Sequence, residues 1–285
     1  MKDAVKRALM KAYLASRFAP ACDSLYARFG VGRLTVLAYH QIKDPANDHS
    51  TVSPAAFREQ MQYVKQHYQV LPLSEAVTVA GARGWSERVV AITFDDGYQD
   101  NATIAAPILR SLGLPACFFV ATDMIGNRRP FPHDLFHGRR KQEHMTWQQL
   151  RALVRDGFDV GSHTCSHVDL GVISTLQAER ELRDSRQRLE LELNRPIRLF
   201  AFPYGHRRNM RPATIAAACR DYEVCCSAYG GHNRSPVNPA NVRRIVISTG
   251  VNFLAFQALL EGWPMMRLSN PYRATDEAAD RPLAS

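Results

Sequence analysis

None of the six cysteines in this 285-residue chain belongs to a C-x-x-C pair, which argues against a redox dithiol and for a set of reduced thiols. No apolar run is long enough to cross a bilayer. The first residues carry neither the apolar core nor the small-residue cleavage site of a signal peptide. A cytoplasmic protein is the expectation from these absences. There is no internal repeat, so a solenoid or propeller is set aside. The formal net charge is +9, yet the basic residues form no aromatic-interleaved patch and no recognisable nucleic-acid module, and no nucleic-acid partner is expected. A basic surface serves equally to attract anionic lipids, pyrophosphate-linked glycans or acidic polysaccharide.

What is present fits an α/β domain with one sizeable core, given a hydrophobic content of 46%. An apolar run from Leu34 to Tyr39 reads as a first strand. Ser53-Pro54 opens a helix through about His67, with proline in the first turn and Phe57, Met61 and Val64 on one face. A helix over 102–112 leads past Gly113 and Pro115 into a strand over 116–121, with Asp100 and Asn101 as its caps. Further helices are expected over 147–155 and 174–193, the second laced with Glu and Arg suited to a solvated face. This rhythm predicts a mostly parallel sheet closed into a barrel. Cys225 and Cys226 are adjacent in a strand and face opposite sides.

The ends differ from the middle. Residues 1–33 form a basic helical segment carrying Lys2, Lys6, Arg7, Lys11, Arg17 and Arg28 among Leu9, Met10, Tyr13, Leu14 and Phe18. Such a segment either lies on an anionic membrane surface or packs against the bottom of the barrel. The barrel itself is expected over 34–262, and 263–285 reads as a disordered tail.

The chemistry concentrates at strand ends. Val89–Phe94 is a β-branched run closed by Asp95-Asp96-Gly97. Two adjacent carboxylates raise one another's pKa unless something positive lies near, and a divalent metal resolves the conflict if one ligates it while the other stays free as a base. A plain Asp-Asp-Gly turn is the alternative. The strand Phe158–Gly161 runs into Ser162-His163-Thr164-Cys165-Ser166-His167. One helical turn would put His163 and His167 on the same side of a metal. His133 and His137 share that spacing but sit in a Pro- and Arg-rich stretch with no strand before it. Cys165, between the two histidines, is a wall residue or a further ligand.

The three segments TFDDG (93–97), SHTCSH (162–167) and FPYG (202–205) together resemble successive motifs of the polysaccharide deacetylases, the NodB-like proteins or carbohydrate esterase family 4, over roughly residues 34–262. The resemblance implies a single-domain distorted (β/α) barrel and metal-dependent removal of N- or O-acetyl groups from glycans. It implies Asp95 as general base, Asp96, His163 and His167 as metal ligands, and the backbone N–H of Tyr204 as oxyanion donor. The expected ion is divalent, Zn²⁺ first, with Co²⁺ or Ni²⁺ accepted by the same two imidazoles and carboxylate.

Two departures point to one branch of that family. The third motif lacks its usual arginine, and no histidine beyond His232 stands where a last catalytic histidine belongs. Leu37-Ala38-Tyr39-His40 instead resembles the rearranged exopolysaccharide branch that acts on poly-N-acetylglucosamine, which implies His40 as general acid, with His206 next in line. Arg243 and Arg244 are the candidates to orient Asp95 in place of the missing arginine, with solvated charges at a strand edge as the alternative. The expected partner is an acetylated glycan or lipid-linked oligosaccharide, with peripheral contact to the inner membrane face. The other class is an inactive glycan-binding module on the same fold. Retention of Asp95, Asp96, His163, His167 and His40 together counts against it, since binding alone needs no acid, base and metal.

Overall fold

A computed structural model describes residues 2–46, 50–82, 85–136 and 142–263. Within them a curled sheet is built from β1 (Arg33–Tyr39), β4 (Gln69–Val70), β5 (Arg88–Phe94), β6 (Cys117–Val120), β7 (Asp159–Ser162), β8 (Leu199–Ala201), β9 (Val224–Cys226), β10 (Asn233–Arg234) and β11 (Arg244–Val246). β2 (Gln41–Ile42) and β3 (Thr51–Val52) form a separate parallel pair. The path β1-β5-β6-β7-β8-β9 is parallel throughout. β11 returns parallel to β1, pairing Val36 with Arg244, while β10 is the one antiparallel neighbour. A parallel bridge between Cys226 and Val242 draws the far edge towards β11. The expected distorted parallel barrel is therefore present.

Side chains alternate across these strands with a period of two, and this alternation places the site. Leu34 and Val36 of β1, Val89 and Ala91 of β5, and Phe119, Ala201 and Cys226 line the inside of the curl. Leu37, Tyr39, Val90, Ile92, Phe94, Phe118 and Cys225 face the surrounding helices. Cys225 and Cys226 thus point to opposite faces, as expected. Gly161 lacks a side chain for a steric reason: a Cβ there would fall 2.4 Å from the Phe119 ring, which fills the barrel interior.

The helices follow local signals. In α3 (Pro54–His67) Ser53 caps the first turn by accepting from Ala56 N–H at 3.2 Å, and the buried face is Phe57, Gln60, Met61 and Val64. α4 (Leu73–Gly81) packs Leu73, Ala76, Val77 and Ala80 into the inner cluster at the amino ends of the strands. α5 (Ala106–Leu112) continues from a π-helical turn over Asn101–Ala105. After the short α6 (Pro132–Phe136), α7 (Trp147–Arg155) and α8 (Thr175–Leu193) both begin with capping boxes, Thr146 with Gln149 and Ser174 with Gln177. α9 (Pro212–Asp221) and α10 (Phe253–Leu260) complete the set.

The basic N-terminal segment folds as α1 (Lys2–Ser16) and α2 (Phe18–Arg28), broken at Arg17, which is left-handed at φ 51°. It packs against the bottom of the barrel. Tyr13 donates to the Glu261 carbonyl at 2.8 Å and meets Trp263 edge-on, and buried Asp23 pairs with Arg33, Arg88 and Arg234. No helix among the described residues is long and apolar enough to cross a membrane. The polar tail from residue 264 onward lies outside the described residues, as does His137.

Candidate metal and acyl-transfer site

The carboxyl ends of β1, β5, β7 and β8 converge on one pocket of polar groups. β5 ends in Asp95, on the inward side with Ala91 and Thr93, and the turn after it bends sharply. Asp96 has φ 72° and Gly97 φ 71°, two left-handed residues in succession. The turn is held by the Gly97 carbonyl, which accepts from Met145 N–H at 2.8 Å. The turn swings Asp96 across to the loop after β7. There Asp96, His163 and His167 bring one ligand atom each within 4.8 Å of one another, all three side chains buried. Asp96 Oδ1 lies 3.5 Å from His163 Nε2 and 3.2 Å from His167 Nε2.

The two histidines reach this point without a helical turn, contrary to the expectation from their spacing. Residues 163–167 form a tight loop in which Thr164 (φ 67°) and His167 (φ 59°) are left-handed. Thr164 Oγ1 accepts from His167 N–H at 2.9 Å. Non-glycine residues in this region cost about 1–3 kcal/mol each, and such strain gathers at functional sites. Among the described residues, four of the six of this kind are Asp96, Thr164, His167 and Tyr204. His163 Nδ1 lies 2.7 Å from the Ala201 carbonyl, which fixes the ring so that Nε2 faces Asp96. Two imidazole nitrogens and one carboxylate oxygen, held this close and out of water, fit a divalent ion with positions left open.

Beside this group, Asp95 is gripped by Arg244. The fork is bidentate, with Nη1 to Oδ1 at 2.6 Å and Nη2 to Oδ2 at 2.8 Å. Arg244 is fully buried, donates from Nε to the Ser227 carbonyl at 3.1 Å, and lies over the Phe119 ring. Of the two arginines expected to orient Asp95, Arg244 is the one; Arg243 is exposed. Burial alone would raise the Asp95 pKa, but the charges of Arg244 and His163 and the Arg244 hydrogen bonds hold it below its ordinary value. At Asp96 burial is again opposed, here by His167 and by hydrogen bonds from both histidines, and the carboxyl stays well below its ordinary range.

His40 follows β1 on the inward side, level with Asp95 because Tyr39 pairs with Phe94 across β1 and β5. The residues expected to cap the helix after Gly97 hold this segment instead. Asn101 Nδ2 donates to the His40 carbonyl at 2.6 Å, and Asp100 Oδ1 accepts from Ile42 N–H at 3.1 Å. Neither makes a cap, because the π-helical turn begins with Asp100 already in helical conformation. His206, the second candidate, precedes the turn Arg207–Asn209, where Asn209 Oδ1 accepts from the His206 backbone N–H at 3.1 Å. Cys165 is a wall residue; its thiol donates to the Glu181 carbonyl at 3.6 Å, and burial pushes its pKa up to about 12.

Tyr204 (φ 61°) and Gly205 (φ 64°) form the turn after β8. A Cβ on Gly205 would lie 2.6 Å from Ala228 N, so glycine is required there. The Tyr204 ring stands edge-on to His167 at 5.0 Å. A second wall was not foreseen. Phe131 is tilted against His167 at 4.8 Å and meets His144, which stacks on Tyr98 at 5.4 Å. These three come from separate loops, and no local pattern marks them as neighbours.

Comparison with known proteins agrees with this geometry. The family model described as polysaccharide deacetylase matches residues 82–223. YxkH of Bacillus subtilis, provisionally named a polysaccharide deacetylase, is 26% identical over 80% of this chain and 76% of its own length. Poly-beta-1,6-N-acetyl-D-glucosamine N-deacetylase of Escherichia coli is 28% identical over 45% of this chain, which spans 20% of that protein. Among solved structures, a polysaccharide deacetylase from Bacillus cereus superposes with a TM-score of 0.67 at 22% identity, covering 81% of this chain and 69% of its own. IcaB from Ammonifex degensii gives 0.65 at 21% identity, covering 81% and 97%.

Proposed function

Because the chain belongs to the polysaccharide deacetylase family, we propose that it hydrolyses acetyl groups, N-acetyl above all, from a glycan or glycan precursor of surface-polysaccharide metabolism. The observation that carries the proposal is the buried Asp96, His163 and His167 group directly beside the Asp95–Arg244 pair. A binding module has no need of a metal-ligand set, an ionised base and an imidazole at one point. The named substrate of the Escherichia coli and Staphylococcus epidermidis relatives supports a polymer of N-acetylglucosamine as the substrate class.

Asp96, His163 and His167 would hold a divalent ion, Zn²⁺ before Co²⁺ or Ni²⁺, which would supply Lewis acidity toward the acyl oxygen and lower the pKa of water at the site. Asp95 takes the proton from the water that attacks the acyl carbon. Arg244 keeps its carboxylate ionised and aimed, in the way a general base needs. The backbone N–H of Tyr204 donates to the oxyanion as it develops, a contribution of about 3 kcal/mol. His40 protonates the departing amine.

The test is acetate release from a panel of acetylated oligosaccharides, with metal-stripped and metal-restored protein. The proposal expects release that depends on the ion and is lost in Asp95→Asn, while glycan binding persists. Glycan binding without acetate release in the wild type would establish the binding module instead.

A further inference from the structure

Exposed apolar side chains are unevenly distributed on this molecule. Val5, Leu9, Phe18, Leu25 and Phe29 are between 46% and 76% exposed, all on the two N-terminal helices or at their edge. In α2 they fall into register: Phe18, Leu25 and Phe29 recur at i, i+7 and i+11, within about 40° of one another around a helix of 3.6 residues per turn. Ala19 and Asp23 of the same helix are buried against the barrel. In α1 the side facing the barrel is Met10 with half-buried Tyr13 and Leu14, whereas Val5 and Leu9 are turned to solvent. Scattered apolar residues on a surface need no explanation, but three large ones in line on one helix face do.

The exposed charges of this N-terminal segment are predominantly basic. Arg7, Lys11, Arg17 and Arg28 are exposed, against one exposed acid, Asp3. Asp23 is spent on ion pairs with Arg33, Arg88 and Arg234. Two copies of this chain meeting through this face would oppose cation to cation. An apolar strip with a cationic border instead complements a layer of anionic headgroups over hydrocarbon. We propose that α1 and α2 are a docking surface for an anionic lipid bilayer, with Phe18, Leu25 and Phe29 as its apolar anchors.

The fold then sets which way the molecule faces. Asp23 ties α2 to Arg33 and Arg88, the first residues of β1 and β5, whereas Asp95 and His40 follow the last. Seven strand residues at about 3.3 Å each separate the two ends by roughly 20 Å. Docked through α1 and α2, the pocket opens away from the bilayer and suits a glycan that extends from the surface better than a sugar at headgroup level. Only this consequence rests on the proposed reaction; the docking does not.

The experiment is co-sedimentation of the full chain with vesicles of phosphatidylglycerol and phosphatidylcholine, or of phosphatidylcholine alone, without substrate. Wild-type protein is expected to sediment with the anionic vesicles and to be released as salt screens the charges. Phe18→Ser/Leu25→Ser/Phe29→Ser should lower partitioning by about 10-fold or more, with melting temperature and acetate release from a soluble oligosaccharide unchanged. Arg7→Gln/Lys11→Gln/Arg28→Gln should lose the preference for anionic lipid while keeping the anchors. Wild-type protein that remains in the supernatant with anionic vesicles would overturn the proposal. So would a triple serine variant that sediments as well as wild type, or a wild-type dimer that this variant dissolves into monomers, which would assign the surface to a second copy. A lost acetyl-hydrolase activity would leave the sedimentation result standing.

Discussion

Replacing Arg244 with Met tests the arrangement of the site directly. In the wild type the guanidinium and the Asp95 carboxylate are both buried and share two short hydrogen bonds. Removing one partner of such a pair leaves an uncompensated charge in the interior, at a cost of about 3–5 kcal/mol. For a domain of this size that is a fall in melting temperature of roughly 10 °C. Arg243→Met, at the exposed neighbour, should stay within about 0.5 kcal/mol. Arg244→Lys keeps the charge and loses the fork, and should fall between the two. The pH dependence has a definite sign. A carboxyl whose folded pKa is depressed contributes stability above its unfolded pKa and loses it as pH falls. Without Arg244 burial dominates and the Asp95 pKa rises, so that stabilising contribution disappears and the acid limb of acetate release moves to higher pH. Urea unfolding of Arg244→Met, Asp95→Asn and the double variant gives the coupling, expected at about 2 kcal/mol or more. Additive single variants, or equal effects of Arg243→Met and Arg244→Met, would refute the assignment of Arg244 as the residue that orients Asp95.

Three further outcomes follow from the geometry. His163→Ala should abolish stoichiometric binding of Zn²⁺, read by metal analysis after dialysis, while leaving the circular dichroism of the fold; full occupancy in that variant would refute the ligand set. His40→Ala should lower kcat by about 10²–10⁴-fold with metal content unchanged, and a rate close to wild type would exclude it as the proton donor. At the barrel bottom, burial and the charges of Arg33, Arg234 and Arg88 depress His232 to about 3. The unfolded chain therefore takes up this proton first, and about 3 kcal/mol of stability should be lost between neutral pH and pH 4. His232→Asn should flatten that part of the dependence of melting temperature on pH, and parallel curves would show that His232 does not set it.

Much of the fold is local in origin and therefore visible in the residues themselves. Ser53 before Pro54, Thr146 with Gln149, and Ser174 with Gln177 start helices through contacts three residues apart. Val89–Phe94 declares a buried strand by composition, and the alternation of its side chains carries through to Asp95 on the inner face. Asp96 and His163 were legible because each stands within two residues of the end of a parallel strand, and such strands deliver their ends to one face of the sheet; His167 was joined to them by its spacing from His163 and by the motif resemblance.

Tertiary structure decided what depends on contacts between distant segments. A period of two shows that Arg243 and Arg244 face opposite ways; which of them faces inward is settled by pairing Arg244 with Val36 across β1. Asp100 and Asn101 have the composition of helix caps, yet they bond the chain beside His40, some sixty residues away in sequence, because β1 and β5 are neighbours and end together. The loop that turns His167 back onto Asp96 uses left-handed backbone at two non-glycine residues, and propensity disfavours that conformation unless surrounding contacts compensate. Phe131, His144 and Tyr98 meet only because three loops close over the same strand ends. Composition and spacing determined which groups stand at the ends of the strands. The closure of the sheet determined which of them touch, since each contact is made across the barrel between residues far apart in the chain.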